Sequence, residues 1–277
     1  MSGILYLVGT PIGNLSDFSP RARQVLSEVD FIAAEDTRVT LKLLNHFDIR
    51  KSLISYHEHN RAQSGEKILA RLLGGESCAL VTDAGMPAIS APGEDLVRLC
   101  AENGVTVSPV PGPSACVTAL AASGLPTQRF CFEGFLSTSK KSREEHLAEL
   151  KTEKRTMIFH EAPHKLVRTL ADMLDAWGDR ELTLCRELTK LHEEFIRTTL
   201  SEALERYTLT PPTGEFVLVI RGASEQPAEA MSRDDALAMV RRLRADGMKL
   251  KDACKEAAEA SGISKNELYQ AMLAENN

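Results

Sequence analysis

The sequence predicts an α/β fold followed by a small all-helical segment, on three observations. In the first half, short apolar runs alternate with amphipathic stretches, the pattern of parallel strands covered by helices on both faces, and a second alternating unit runs on to about residue 222. Three turns rich in glycine and proline each follow directly on a strand pattern. From Ser232 onward no strand pattern occurs.

Ile4 to Val8 reads as the first strand, and Ser19-Pro20 supplies an N-cap and a first-turn proline for a helix through Val29. Further strands fall at Phe31 to Ala34, Cys78 to Thr82 and Val105 to Val110. Helices fall at Val39 to Phe47, Ala62 to Leu73, Gly93 to Asn103 and Pro113 to Ala122. A break at Ser123-Gly124-Leu125-Pro126-Thr127 opens a second alternating unit. It has strands at Arg129 to Gly134, Thr156 to His160 and Leu182 to Arg186, and helices at Arg143 to Leu150 and His164 to Ala176. Phe195 to Leu200 and Glu215 to Ile220 read as late strands, with Pro211-Pro212-Thr213-Gly214 as the turn between them. The expected organisation is therefore an α/β domain over 1–122, a second over 123–222, a linker over 223–231 and a helical domain over 232–277. Arg233 to Ala245, Leu250 to Ala260 and Lys265 to Leu273 are its expected helices.

The chain has 277 residues, 43% of them hydrophobic and 26% charged, ordinary values for a globular protein with a sizeable core. No apolar run reaches eighteen residues, and Met1 to Val8 carries no positive leader. Both point away from a membrane span or a secretory signal and towards the cytoplasm. The six cysteines include no C-x-x-C pair and sit mostly in apolar segments, which predicts buried thiols rather than disulfides or a metal site. A net charge of −6 counts against a nucleic-acid partner, although a local basic patch can act on an acidic molecule.

The three turns are Gly9 to Leu15, Asp83 to Pro87 running on to Gly93, and Pro111 to Ala115. In a parallel sheet all three emerge at the carboxyl edge, where ligands bind, and glycine lets backbone approach a ligand closely. Any one alone is an ordinary tight connection; three on one edge make a ligand site. Neither G-x-x-x-x-G-K-[ST] nor a G-x-G-x-x-G after the first strand occurs, so the ligand is not held mainly by a pyrophosphate.

These turns also carry a family resemblance. L-V-G-T-P-I-G-N-L (Leu7 to Leu15), A-E-D-T-R (Ala34 to Arg38), H-E-H-N (His57 to Asn60) and V-T-D-A-G-M-P (Val81 to Pro87) are the first motifs. V-P-G-P-S-A (Val110 to Ala115), S-G-L (Ser123 to Leu125) and F-H-E-A-P-H-K (Phe159 to Lys165) follow. R-E-L-T-K (Arg186 to Lys190) and G-E-F-V-L-V (Gly214 to Val219) complete the series. In this order they resemble the tetrapyrrole methylase superfamily, and within it the branch that methylates small-subunit ribosomal RNA. Met86 and Ala91 depart from the usual second turn, and the loop after Phe135-Leu136 lacks the usual proline.

The resemblance implies two α/β domains of the tetrapyrrole-methylase type with S-adenosylmethionine in the cleft between them, plus the helical domain. It implies a homodimer, no metal, and 2′-O-methylation of a cytidine in the decoding centre of 16S rRNA in the small ribosomal subunit. The alternative is a precorrin-type tetrapyrrole as substrate; a non-catalytic regulator with a cofactor sensor is a third possibility. Mapped residue by residue, the cofactor falls to Pro11, Asp83, Ala84, Gly85, Met86, Ile89, Ser114 and Ala115 from the first domain. Glu161, Leu188 and the turn Gly214, Glu215, Phe216 close over it from the second.

Methyl transfer to a hydroxyl is helped by a general base. Glu35, Asp36 and Arg38 follow the second strand, so a carboxylate is placed to take a proton and the guanidinium to hold a phosphate. The same residues equally suit an acidic helix start with a local ion pair. His57 and Glu58 fit a base or an RNA contact, or a polar loop capping a helix; their H-x-H spacing has no third ligand for a metal. Arg186, Lys190 and Lys165 fit phosphate contacts or a solvated face. The helical tail, with Arg241, Arg242, Arg244, Lys249 and Lys251, fits either RNA binding or packing.

Overall fold

The computed structural model describes residues 2–224, 233–245, 248–261 and 263–274. They fall into two compact units, 1–222 and 223–277.

The larger unit holds two five-stranded sheets. The first is built from β1 (Ile4–Val8), β2 (Phe31–Ala34), β3 (Ser52–Ser55), β4 (Cys78–Val81) and β5 (Thr106–Val110), in the order β3-β2-β4-β1-β5, and every pairing is parallel. The helices between them are α1 (Pro20–Glu28), α2 (Thr37–His46), α3 (Arg61–Leu73) and α4 (Glu94–Glu102). Ser19 caps α1 by accepting from the Ala22 N–H at 3.0 Å, with Pro20 in the first turn. The central strands β2 and β4 are buried at every position, so their uninterrupted apolar runs pack helices on both faces. One face joins Val8, Ile32, Ala34 and Val81 to Ala22, Val25 and Leu26 of α1. The other joins Leu5, Phe31, Ala33 and Leu80 to Ile68 and Leu72 of α3 and Leu96 of α4. Strand β3 was not expected: it is a short edge strand, Ser-Leu-Ile-Ser, with polar ends and no full burial.

The second sheet is mixed. Its strands are β6 (Phe130–Gly134), β7 (Thr156–Glu161), β8 (Glu181–Arg186), β9 (Glu194–Thr199) and β10 (Phe216–Ile220), in the order β6-β7-β10-β8-β9. The helices α6 (Lys140–Glu149) and α7 (Pro163–Trp177) carry the chain between β6, β7 and β8, which run in one direction. The last strand, β10, inserts antiparallel between β7 and β8, and β9 returns antiparallel along β8. The link from β8 to β9 is too short for the crossover that a parallel pair requires. A helix that was not expected lies between the last two strands: α8 (Leu200–Leu209) ends before the turn at Pro211 and starts after Thr199, whose hydroxyl accepts from the Glu202 N–H at 3.4 Å.

Alternation along these strands divides them between two cores. Met157, Phe159, Leu182, Leu184, Leu218 and Ile220 pack under α6, α7 and α8. On the opposite face, Ile158, Cys185, Val217 and Val219 pack against Cys116, Ala119 and Leu120 of α5 (Ala115–Ser123). Helix α5 follows the first sheet in sequence but packs on the second. It is built of small and apolar residues and buries Cys116, Ala119, Leu120 and Ser123. On α6, Lys140–Glu144 and Lys141–Glu145 pair on the surface, one helical turn apart. Arg143 is instead buried, bonded to Asp172 at 2.6 Å and to the carbonyls of Ser137 and Thr138.

The smaller unit contains α9 (Arg233–Ala245), α10 (Leu250–Ser261) and α11 (Lys265–Ala274), joined by a core of Ala236, Leu237, Val240, Ala253, Cys254, Ala257, Leu268 and Met272. Apart from its first two residues, the expected 223–231 linker lies outside the described residues, as do Ser232 and the Asp246-Gly247 join. All six cysteines are free thiols. Among the described residues no helix is long and apolar enough to cross a membrane. Among them, too, no group of three or more His, Cys, Asp or Glu side chains is placed to hold a metal.

Candidate functional site

The carboxyl ends of the five parallel strands open on one edge, and there the three glycine turns meet. Thr10 and Gly85 exchange backbone hydrogen bonds of 3.0 and 3.1 Å, which clasps the turn after β1 to the turn after β4. The Thr10 hydroxyl donates to the Thr82 carbonyl at 3.1 Å. The turn after β5 lies so close that a Cβ placed on Gly112 would stand 2.7 Å from the Gly9 Cα. Two bare backbones make this approach, and only glycine permits it. Further along the second turn, Ala88 and Ser90 hold φ of 65° and 54°. Left-handed backbone is costly for such residues and concentrates at functional loops.

A cavity of about 490 Å³ lies against these turns. Its wall from the first half is Ile12, Glu35, Asp83, Ala84, Gly85, Met86, Ile89, Ser90, Ala91, Ser114, Ala115 and Cys116. The second half contributes Phe132, Phe135, His160, Glu161, Ala162, Pro163, Cys185, Leu188, Glu215, Phe216 and Val217. His160, Val217 and Cys185 are cross-strand neighbours on β7, β10 and β8, on the sheet face that also carries α5.

Two carboxylates face the cavity from adjacent strand ends. The Asp83 N–H donates to Glu35 Oε2 at 3.3 Å, and the Asp36 N–H donates to Asp83 Oδ1 at 3.1 Å. Burial pushes both acids above their ordinary values, and each is raised further by neighbouring carboxylate charge. Asp36 differs. It caps α2 through the Arg38 N–H at 2.8 Å and pairs with the Arg38 guanidinium at 2.6 Å, and that pairing holds its carboxyl far below the usual range. Glu161 is buried with both oxygens engaged, by the Ala162 N–H at 2.8 Å and the Thr169 hydroxyl at 2.5 Å.

Comparison with known proteins gives the site a lineage. Residues 4–204 match the family model for tetrapyrrole (corrin/porphyrin) methylases, and residues 230–276 match that for the RsmI C-terminal HTH domain. The chain is 48% identical to the ribosomal RNA small subunit methyltransferase I of Synechocystis sp., covering 98% of both chains. It is 45% identical to the proteins of that name from Bacillus subtilis and Escherichia coli O157:H7, covering 97% of this chain and 94% of each relative. The chain belongs to the ribosomal RNA small subunit methyltransferase I family. Solved structures share the fold at lower identity. Cobalt precorrin-4 methyltransferase covers 78% of this chain and 94% of its own, at TM-score 0.58 and 18% identity. A Thermus thermophilus uroporphyrin-III C-methyl transferase complexed with S-adenyl homocysteine covers 78% and 97%, at TM-score 0.54 and 20% identity.

In this member of the methyltransferase I family, Asp83, Ala84, Gly85, Met86, Ile89, Ser114, Ala115, Glu161, Leu188, Glu215 and Phe216 line one cavity. Pro11 and Gly214 stand outside the lining. Pro11 belongs to the clasped first turn. Gly214, at φ 86°, lets the Glu187 carboxylate reach the Glu215 N–H at 2.9 Å. Of the residues considered for chemistry, Glu35 alone is in the wall; Asp36, Arg38, His57 and Glu58 are not. His57 follows β3 on the same edge, its N–H bonded to Asn60 Oδ1 at 2.9 Å and its Nδ1 buried without a partner. Glu58 and the Arg38 side chain are exposed. Lys190 is held by Glu187 at 2.8 Å and Glu215 at 2.9 Å, while Arg186 bonds the Thr213 carbonyl at 2.6 Å, so neither is a free phosphate ligand.

Sequence reasoning missed Phe132, Phe135, His160, Cys185 and Val217. His160 lay within a quoted motif, but its alignment with Val217 and Cys185 depends on the antiparallel insertion of β10, which no local pattern announces.

Proposed function

We propose that this chain uses S-adenosylmethionine to methylate ribosomal RNA of the small subunit, at the 2′-hydroxyl of a cytidine in the decoding centre. The observation that carries the proposal is the cavity floored by backbone turns of one sheet edge, in a chain 48% identical over nearly its full length to a ribosomal RNA small subunit methyltransferase I. In this reading 1–122 and 123–222 bracket the site, and 232–277 is a helical RNA-binding appendage.

The residues present suit the cofactor. A volume of about 490 Å³ lies within the usual range for small-molecule sites. Ile89, Leu188 and Phe216 offer apolar surface to a purine, and Glu35 and Asp83 offer oxygens to a cation. Ser114, at the start of α5, makes no side-chain capping bond, so first-turn N–H groups remain for a ligand oxygen. When bound, S-adenosylmethionine supplies a methyl group on a positively charged sulfur.

The chain's own groups then have distinct tasks. Asp83, Ala84, Gly85 and Met86 hold one side of the ligand and Leu188, Glu215 and Phe216 the other, with Pro11 and Gly214 shaping the two turns. Glu35 accepts the proton of the ribose hydroxyl, since it alone among the candidate bases faces the cavity and its raised pKa makes it a better base than an ordinary carboxylate. Arg38, His57 and Glu58, on the rim beside it, meet the RNA. Asp36 orients Arg38.

The test is to incubate the protein with methyl-labelled S-adenosylmethionine and either small ribosomal subunits or a precorrin-type tetrapyrrole. Label in a cytidine ribose of the subunit RNA is expected; label in the tetrapyrrole alone would overturn the proposal.

A further inference from the structure

Methylating a ribose in structured RNA requires the nucleotide to be turned out of its stack, and the displaced base then needs a new flat surface. The cavity rim carries one. Phe135 lines the cavity and is 53% exposed. Behind it stands the His160 ring, with centroids 5.4 Å apart and planes at 76°, and the Phe132 ring lies 5.1 Å from that of His160. The three rings form one edge-to-face cluster. Across the opening, Ile89 is also exposed, and the loop that bears it touches this corner: a Cβ on Gly134 would stand 3.2 Å from the Ser90 hydroxyl oxygen. The rim is thus apolar from both halves at one point.

A second observation concerns the His160 ring itself. Its Nε2 is buried and has no hydrogen-bond partner in the protein. Burial holds this imidazole below its usual pKa, so it is neutral at physiological pH. A neutral, enclosed ring gives Phe135 an aromatic backing that carries no charge to desolvate.

We propose that Phe135, backed by His160 and Phe132, receives and stacks the base of the nucleotide whose ribose is methylated. The inference rests on the RNA reading above and gives the target base its seat. It separates the base subsite from the turns that hold the cofactor.

Phe135→Ala and Phe135→Trp in the full chain test it, with two binding readouts and one kinetic one. Affinity for S-adenosylhomocysteine is measured by calorimetry, affinity for unmethylated small ribosomal subunits by filter binding in the presence of S-adenosylhomocysteine, and kcat/KM by methyl incorporation. Phe135→Ala is expected to lose roughly ten-fold or more in subunit affinity and in kcat/KM, the usual scale for removing a stacking ring. Its S-adenosylhomocysteine affinity and unfolding midpoint should stay within error of the parent, and Phe135→Trp should restore subunit binding. Equal subunit binding by Phe135→Ala would overturn the base site. So would a parallel loss of S-adenosylhomocysteine affinity, which would give the ring to the cofactor. Failure of the unaltered protein to bind or methylate small subunits would overturn the RNA reading itself, and that is read from the parent alone.

Discussion

Glu35 carries an unfavourable charge: it is half-buried beside Asp83, and the fold raises its pKa above the ordinary 4.5. Its basic form is lost as pH falls through that raised value. The acid limb of kcat/KM is therefore expected above the ordinary glutamate range, and Glu35→Gln should abolish that limb and lower kcat by about 10²–10⁴. The sign for stability is opposite. A folded pKa above the unfolded one means the native state binds its proton more tightly, so the group opposes folding once pH exceeds both values. Glu35→Gln should accordingly raise the unfolding midpoint at pH 7, since an amide oxygen still accepts the Asp83 N–H; a lowered midpoint would contradict the burial argument. Arg143 shows the reverse case of a buried charge that is fully paired. Arg143→Met strands Asp172 and two carbonyls and should cost about 2–4 kcal/mol in denaturant unfolding, moderated because Asp172 keeps 29% of its side chain exposed. Nothing in the sequence separates Arg143 from its lysine neighbours, whereas the Glu35-Asp36 motif was visible. What the motif withheld was that Asp36 turns towards Arg38 while Glu35 turns into the cavity.

At the scale of elements, the three glycine turns were legible because each follows a parallel strand, where chain direction fixes which edge the turn occupies. The second sheet was less legible. Its strands were located within a few residues, but their order depends on long-range pairing, and the stretch that forms α8 carried no assignment. The apposition of Gly9 and Gly112 is a sharp test of the first-sheet edge. Gly112→Ala places a methyl 2.7 Å from the Gly9 Cα, with backbone on the other side and no flexible side chain to yield. S-adenosylhomocysteine affinity should fall at least ten-fold by calorimetry. Leu218→Ala, at a fully buried position on β10 facing α7, should instead cost about 2–5 kcal/mol of stability. Cofactor affinity, measured where that variant is folded, should be nearly unchanged.

Across the whole molecule, each compact unit has its own apolar core. A chain ending at Gly222 should therefore fold and keep its affinity for S-adenosylhomocysteine by calorimetry, while its affinity for small ribosomal subunits drops; undiminished subunit binding would remove the RNA role from the helical tail. Within the larger unit, α5 has a mechanical consequence. Ser114 begins a helix seated on the second sheet, whereas Asp83 belongs to a turn of the first. A molecule that touches both is a strut between the layers, so spreading the layers to release it must first break its own grip. Departure of the spent cofactor, rather than transfer of the methyl, then becomes the step that loosening α5 would hasten.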